Sequence, residues 1–499
     1  MTRRFPYAVL SLFLLAAATN ATAVRAATEE TISHAAEAAV VKVFSTMRRP
    51  DVAKPWSKQA PAEATGSGVI IAGHRILTNA HVVGYASQVQ VQGNQSGDKV
   101  PATVEFLAPG IDLAVLKLED ESFFTDRPAL PRAKSLPQVK DAVYAYGFPT
   151  GGASLSITRG IVSRIEFVPY NYLTSGLRIQ IDAALNPGNS GGPAVADGKM
   201  IGLAFSHLQG SENISYIIPN EEIDLFLADI ADGNYDGKPA MYDTLQTLEN
   251  PALRGYLKLD PGVKGMIVSR PDQGVADNPL KQWDVITRIG DTDIDDEGMV
   301  KVSNNLRVNF FYMIQKTAQN GTVPLSVLRA GKKMTVAMPV PTHRPLLVEG
   351  LQGQYPSYFI YGPLVFSRAS IESLALTRQR GGFSPVLARL ADPPTAERPE
   401  LVIIASPLFP HALSKGYSNP TGQIVDAVNG VPVKSLAQLV AYLRDLKDEY
   451  VVINFDGLVS EGLVFPRAKL VAATEEILTD NGVREEGSPD MMKIWQAGK

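Results

Sequence analysis

Between Ala39 and Pro219 the apolar positions fall into short runs, several alternating with polar residues and punctuated by Gly and Pro. An extended chain shows successive side chains to opposite faces, so such runs mark strands joined by turns. They place strands at Val40–Phe44, Gly68–Ile71, Ile76–Thr78, Val89–Val91, Ala102–Leu107, Leu113–Leu118, Ala142–Tyr146, Leu155–Phe167, Arg178–Ile181 and Met200–Phe205. Many short strands with no helical pattern between them predict a sandwich or barrel, not a parallel α/β sheet. The period changes at Asn220, where an N-cap residue, the acids Glu221 and Glu222 and apolar positions through Leu227 predict a helix that closes this region. Residues 232–250 are polar, with Gly, Pro, Asp and Asn, and read as a linker.

Two later segments echo one another. Trp283-Asp284-Val285-Ile286-Thr287-Arg288-Ile289-Gly290 and Gln423-Ile424-Val425-Asp426-Ala427-Val428-Asn429-Gly430 each run from apolar pairs into a glycine turn. After the second copy, Ser435 is a good N-cap, and Leu436, Leu439, Val440, Leu443 and Leu446 line one face of a helix. Units of strand, turn, strand, helix and strand predict an α+β module present twice. From Asp480 the chain mixes charge, Gly and Pro, which predicts a mobile tail over 480–499.

At the other end, Arg3 and Arg4 precede a mainly apolar stretch from Tyr7 to Ala18, and small residues follow up to Ala26. This is the pattern of a secretory signal over residues 1–26, with cleavage after Ala26 favoured over an uncleaved anchor because the apolar run is short for a membrane span. The product is therefore expected to be exported, with no stable membrane span after cleavage.

Composition narrows the chemistry. The 499 residues contain no cysteine, which excludes disulfides, thiol nucleophiles and Cys-ligated metals. The six histidines, His34, His74, His81, His207, His343 and His411, include no pair at the spacing that sets two imidazoles on one helix face, so no metal site is expected. A net charge of −4 with no long basic run makes nucleic acid an unexpected partner.

The strongest chemical signal is Asp182-Ala183-Ala184-Leu185-Asn186-Pro187-Gly188-Asn189-Ser190-Gly191-Gly192-Pro193. Its glycines allow a sharp turn around a serine, so that the N–H groups of Gly188 and Ser190 can converge as an oxyanion hole. A serine hydroxyl needs a base, and His81 follows directly on a predicted strand; the imidazole in turn needs a carboxylate behind it, and Asp112 opens the next strongly apolar strand. Each residue alone reads as an ordinary loop or turn residue. Together, in the order His, Asp, Ser within one β-rich region, they form a catalytic candidate in the chain order of chymotrypsin. Gly188 to Gly192 also spells the G-x-S-x-G elbow of α/β-hydrolases, but that elbow needs a helix immediately after the serine, which Gly191-Gly192-Pro193 would break.

Asn79-Ala80-His81-Val82-Val83, Asp112-Leu113-Ala114-Val115-Leu116 and Gly188-Asn189-Ser190-Gly191-Gly192-Pro193 resemble the three catalytic motifs of the HtrA/Deg serine endopeptidases. Ala145-Tyr146-Gly147-Phe148-Pro149 and Gly160-Ile161-Val162-Ser163-Arg164 stand between the second and third motifs, as in that family. Lys54-Pro55-Trp56-Ser57 before Thr65-Gly66-Ser67-Gly68, with Pro356-Ser357-Tyr358-Phe359 further on, resembles the longer plant-type Deg branch.

The resemblance implies a mainly β plus α+β fold: a chymotrypsin-like double β-barrel over 31–235, then two PDZ-like domains near 251–342 and 349–470. It implies catalysis by His81, Asp112 and Ser190 with an oxyanion hole at Gly188 and Ser190, and a P1 pocket with Leu185 in its floor and Ala204 and Phe205 in its wall. No acid or base is expected in that pocket, which suits a small or medium aliphatic side chain, and Asp182 is given to support of the serine loop. Gly255-Tyr256-Leu257-Lys258-Leu259 falls near where a carboxylate-binding loop would lie, without that loop's usual glycine pattern. The family further implies no cofactor, trimer-based homo-oligomers, unfolded or damaged polypeptides as partners and protein quality control, with the periplasm as the compartment. A client-holding chaperone, or a PDZ scaffold with a latent protease domain, is the alternative.

Overall fold

The computed structural model describes residues 34–497 apart from 150, 151, 153, 172–173, 208–214, 379–383 and 458–460. The expected signal over 1–26 lies outside them. The chain forms two compact units. The first takes the chain up to Met47, then Glu63–Gly237 and Lys301–Tyr312; the second takes Arg48–Ala62, Lys238–Val300 and the chain from Met313 onward.

The first unit holds two closed six-stranded barrels. The first barrel runs β1 (Val40–Met47), β2 (Ala62–Ile71), β3 (Arg75–Thr78), β4 (Ala86–Gly93), β5 (Lys99–Ala108) and β6 (Leu113–Leu118), in the order β1-β2-β3-β6-β5-β4. Closure leaves no open edge, and Val41, Val43, Ile76, Leu77, Leu113, Val115 and Leu116 are fully buried inside or between barrels. Each such side chain contributes about 1.5–3 kcal/mol of burial.

The second barrel runs β7 (Ala142–Gly147), β8 (Ser156–Pro169), β9 (Ser175–Ile181), β10 (Pro193–Ala196), β11 (Lys199–His207) and β12 (Ser215–Pro219), in the order β10-β11-β12-β9-β8-β7. Strands β10 and β12 carry no period-two signal. Pro193-Ala194-Val195-Ala196 is buried at every position, so a continuous small apolar run stands where alternation would have been visible. The closing helix covers Asn220–Asp229, but Asn220 is its first residue and not its cap. The Asn220 amide instead donates to the carbonyls of Ala133 and Met200, pinning the helix to the barrel.

One hairpin that falls mostly in the first unit comes from the stretch expected to be wholly PDZ-like. Its strands are β17 (Met299–Ser303) and β18 (Leu306–Asn309), and β18 packs on β8. Beyond it the Tyr312 hydroxyl donates to Glu221 at 2.9 Å, and its ring meets Phe167 edge-on.

In the second unit β13 (Thr244–Thr247), β14 (Met266–Arg270), β15 (Val285–Ile289), β19 (Thr322–Arg329) and β20 (Lys332–Pro339) form a sheet in that order, with β16 (Thr292–Asp293) on β15. Strand β13 falls inside the expected linker, which corrects that boundary: four residues flanked by Asp and Asn are too few to show a period. Gly255 and Tyr256 end the helix Pro251–Tyr256, and Leu257 and Leu259 pack on Leu248, Ile267 and Val285, so this stretch is a packed helix end and not a loop presenting amides.

The chain continues as β21 (Tyr358–Tyr361), β22 (Leu364–Arg368) and β23 (Val402–Ile404), a three-stranded sheet. It then forms β24 (Val425–Val428), β25 (Val431–Pro432), β26 (Tyr450–Phe455) and β27 (Leu463–Pro466), ordered β25-β24-β26-β27. The internal echo is one repeated hairpin, β15 to β16 and β24 to β25, each turned by two residues. In the second, Asn429 and Gly430 have φ of 50° and 75°, the backbone a tight hairpin turn demands. The helix Leu436–Asp445 starts as expected, with the Gln438 N–H donating to the Ser435 hydroxyl.

The C-terminal expectation is corrected. Helices Arg467–Asp480 and Pro489–Gln496 extend the last domain well past residue 470, and the second one occupies the stretch expected to be a mobile tail. Pro489 is a helix-starting residue there. Met491 is buried and Trp495 lies 4.9 Å from the Phe359 ring, apolar contacts that tie the end of the chain down. The segment Arg48–Ala62 also belongs to this unit. Its Trp56 packs against Phe409 at 5.4 Å and Tyr358 at 6.4 Å, and the Tyr355 hydroxyl donates to the Arg48 carbonyl.

Candidate active site

The site is built from both barrels of the first unit. Strand β3 ends at Thr78, and the short helix Ala80–Val83 that follows buries Ala80, Val82 and Val83. His81 is left outward, with its side chain 47% exposed, while the Asp112 side chain is only 4% exposed. Asp112 has a φ of 59°, a conformation aspartate tolerates better than most residues. Its carboxylate accepts the His81 backbone N–H at 2.8 Å through Oδ1 and faces His81 Nδ1 at 2.6 Å through Oδ2. An ionised carboxylate can only accept, so Nδ1 carries the proton and Nε2 is left basic. The Asn79 amide donates to the Asp112 carbonyl at 2.9 Å and fixes the same turn from below.

Ser190 sits on a turn whose shape depends on glycine. Gly188 and Gly191 have φ of 102° and 87°. A Cβ on Gly191 would lie 2.0 Å from the Ser67 carbonyl oxygen, and one on Gly192 would lie 2.0 Å from that of Tyr146. The turn is held by backbone: the Ser67 N–H donates to the Ser190 carbonyl at 2.8 Å and the Gly191 N–H to that of Ala204 at 2.9 Å. The Ser67 hydroxyl donates to the Gly188 carbonyl at 2.7 Å while accepting the Phe148 N–H at 2.9 Å. Among the described residues, no backbone carbonyl takes the N–H of Gly188 or of Ser190. The Ser190 hydroxyl donates to the Phe205 carbonyl at 3.4 Å and makes no hydrogen bond with His81. Nucleophile and base commonly tighten only once substrate is bound.

His81, Asp112 and Ser190 line one cleft of about 450 Å³, together with Gly188, Leu185 and Phe205. Ala204 is not brought to it: it is fully buried in β11, with its N–H donating to the Gly192 carbonyl. Asp182 accepts the Ile161 N–H, outside the cleft. A Cβ on the neighbouring Gly160 would lie 2.3 Å from the Ala183 nitrogen, which accounts for the glycine of that motif. Ser67 was missed as a site residue; the Thr65-Gly66-Ser67-Gly68 motif was the available signal, but nothing local to it shows that its hydroxyl reaches a turn far along the chain. Tyr170, next to the cleft-lining Asn171, does not itself line the cleft. Burial and the nearby charge of Glu222 push its phenol well up, with Arg178 opposing and Asp112 adding to the shift. Among the described residues no group of three or more His, Asp or Glu could hold a metal ion.

This double barrel with a serine turn at its cleft is the architecture of a trypsin-like serine peptidase, and residues 66–203 match the model of the trypsin-like peptidase domain. Residues 349–490 match that of a PDZ domain. The chain is 35% identical over 464 residues to Protease Do-like 2, chloroplastic, of Arabidopsis thaliana, covering 92% of this chain and 76% of that protein. It is 34% identical over 429 residues to Protease Do-like 4, mitochondrial, of the same plant, covering 83% and 80%. Among solved structures, the HtrA-type protease AlgW with decapeptide is similar, at 24% identity and a TM-score of 0.48 over 63% of this chain and 98% of that one. The chain belongs to the HtrA/Deg family of Do-like proteases and is a serine endopeptidase.

Proposed function

We propose that this endopeptidase hydrolyses unfolded or damaged polypeptides after export, through His81, Asp112 and Ser190. The carrying observation is the doubly held Asp112 carboxylate, which takes both the backbone N–H and Nδ1 of His81 and leaves Nε2 as the open nitrogen of a residue that lines one cleft with Ser190. In this reading Ser190 attacks the peptide carbonyl, His81 takes its proton and returns it to the leaving amine, and Asp112 holds the imidazole and stabilises its cation. The free N–H groups of Gly188 and Ser190 receive the oxyanion. Leu185 and Phe205 in the cleft favour an aliphatic P1 side chain. Two PDZ-like modules, near 251–342 and from 349 onward, would present clients, and assembly into trimers is part of the same proposal. The likeness to chloroplastic and mitochondrial relatives and the signal-like start both support a compartment reached by targeting, for which we propose the periplasm. No described helix is long and apolar enough to cross a membrane.

The test is cleavage of unfolded β-casein by wild type and by Ser190→Ala, with size-exclusion chromatography of both. Cleavage should fall by about 10⁶-fold in the variant, with an unchanged oligomer. Equal cleavage by both proteins would remove Ser190 from the mechanism. The Ser190 hydroxyl resting on the Phe205 carbonyl supports a second reading, a client-holding protein with a latent protease. A folded Ser190→Ala protein that suppresses aggregation, beside a wild type that does not cut, would favour it.

A further inference from the structure

Behind the cleft stands an arginine that the triad chemistry leaves unassigned. Arg178 lies half-buried on β9, with its guanidinium carbon 4.1 Å from the centre of the Tyr170 ring and 4.7 Å from that of Phe205. Those two rings are 5.4 Å apart, so the cation is stacked against an aromatic pair, a geometry that suits guanidinium far better than ammonium. Each ring leads to a reacting group. Phe205 offers the carbonyl on which the Ser190 hydroxyl rests. Next to Tyr170, Asn171 donates to the carbonyls of Gly110, at 3.1 Å through its backbone, and of Pro109, at 3.2 Å through its side chain. Pro109 and Gly110 lead directly into Asp112.

The charge of Arg178 is also unusual. Among the described residues it makes no ion pair, and its Nε is buried without a hydrogen-bond partner. Glu166, opposite it in register on β8, is held by Arg164 at 3.0 Å. Two carboxylates are buried nearby: Glu222, which accepts the N–H of Leu177, and Asp112 itself. The charged groups close enough to act on the Tyr170 phenol are Glu222, Arg178 and Asp112, and of these only Arg178 is positive.

We infer that Arg178 is a positioning residue for the proteolytic chemistry: its stacked guanidinium seats the Asp112 loop and the Ser190 acceptor, and its unpaired charge balances the Asp112 carboxylate. This rests on the catalytic reading above. Removing the positive charge leaves the carboxylate side of the site uncompensated, so the acid limb of the pH profile moves to higher pH.

The experiment measures kcat and KM for labelled casein against pH in the full chain, for wild type, Arg178→Met and Arg178→Lys, with fluorophosphonate labelling of Ser190. Arg178→Met is expected to lower kcat about tenfold with KM nearly unchanged, and to move the acid limb of the kcat/KM profile up by roughly half a pH unit. Arg178→Lys keeps the limb in place and loses part of kcat, because it keeps the charge and gives up the planar stack. An Arg178→Met profile matching wild type overturns the inference, and so does a limb that moves equally in Arg178→Lys. Should Arg178→Met not fold, Arg178→Gln is read by the same two outcomes. A wild type that neither cuts nor labels overturns the catalytic reading and the inference together, whereas a normal wild type beside a normal Arg178→Met overturns the inference alone.

Discussion

The two barrels bring different kinds of chemistry to the cleft. The first supplies side chains, His81 and Asp112, fixed to one another and to Asn79 by hydrogen bonds in a buried turn. The second supplies backbone: a serine turn shaped by glycines at positive φ, in which no described backbone carbonyl takes the N–H of Gly188 or Ser190. Side-chain chemistry fails when one functional group is exchanged, while backbone chemistry fails when a methyl group is added.

That contrast can be broken by experiment. In the first barrel Asp112→Asn keeps the shape but removes the acceptor that sets the His81 tautomer, and kcat on casein should fall about 10⁴-fold with an unchanged melting temperature. In the second barrel Gly191→Ala changes no functional group, yet its Cβ would lie 2.0 Å from the Ser67 carbonyl oxygen and 2.4 Å from the Thr78 hydroxyl. We expect kcat to fall by about 10²–10³-fold, a loss of the size seen when an oxyanion donor is displaced. Full activity in Gly191→Ala would abolish the distinction. Ser67→Ala sits between the two kinds, since it removes a side-chain donor that holds the backbone of Gly188; a loss of about tenfold in kcat, without a change in the pH profile, is expected on thermal and kinetic assay. The smallest effect belongs to Gly233→Ala, at a φ of 96° with nothing within 4 Å of its Cβ. It should cost about 1 kcal/mol in stability and nothing in turnover, which separates backbone strain from steric intrusion at the site.

The fold was legible wherever a local pattern carries it. Ten of the barrel strands, the Ser435 cap and the repeated hairpin follow from alternation, capping chemistry and glycine turns. Strand β10 and the helix Pro489–Gln496 were not legible, because four buried small residues show no period and a helix start with Gly and Pro looks like the end of order. Asn220 shows the same limit in one residue: its identity suits a cap, yet the carbonyls of Ala133 and Met200 claim its amide.

His81, Asp112 and Ser190 stand out in the chain as candidates for a base, its orienting acid and a nucleophile, because the proposed roles need those residue types and motifs keep them in a readable local setting. Their convergence, the seat of Ser67 under Gly188 and the stacking of Arg178 on Tyr170 and Phe205 were decided only by the tertiary structure. The physical reason is that hydrogen bonds and ring contacts act over a few ångströms, while most of the partners here are separated by tens of residues or more along the chain. Only closure of both barrels, driven by burial of their apolar faces, puts such residues within reach of one another.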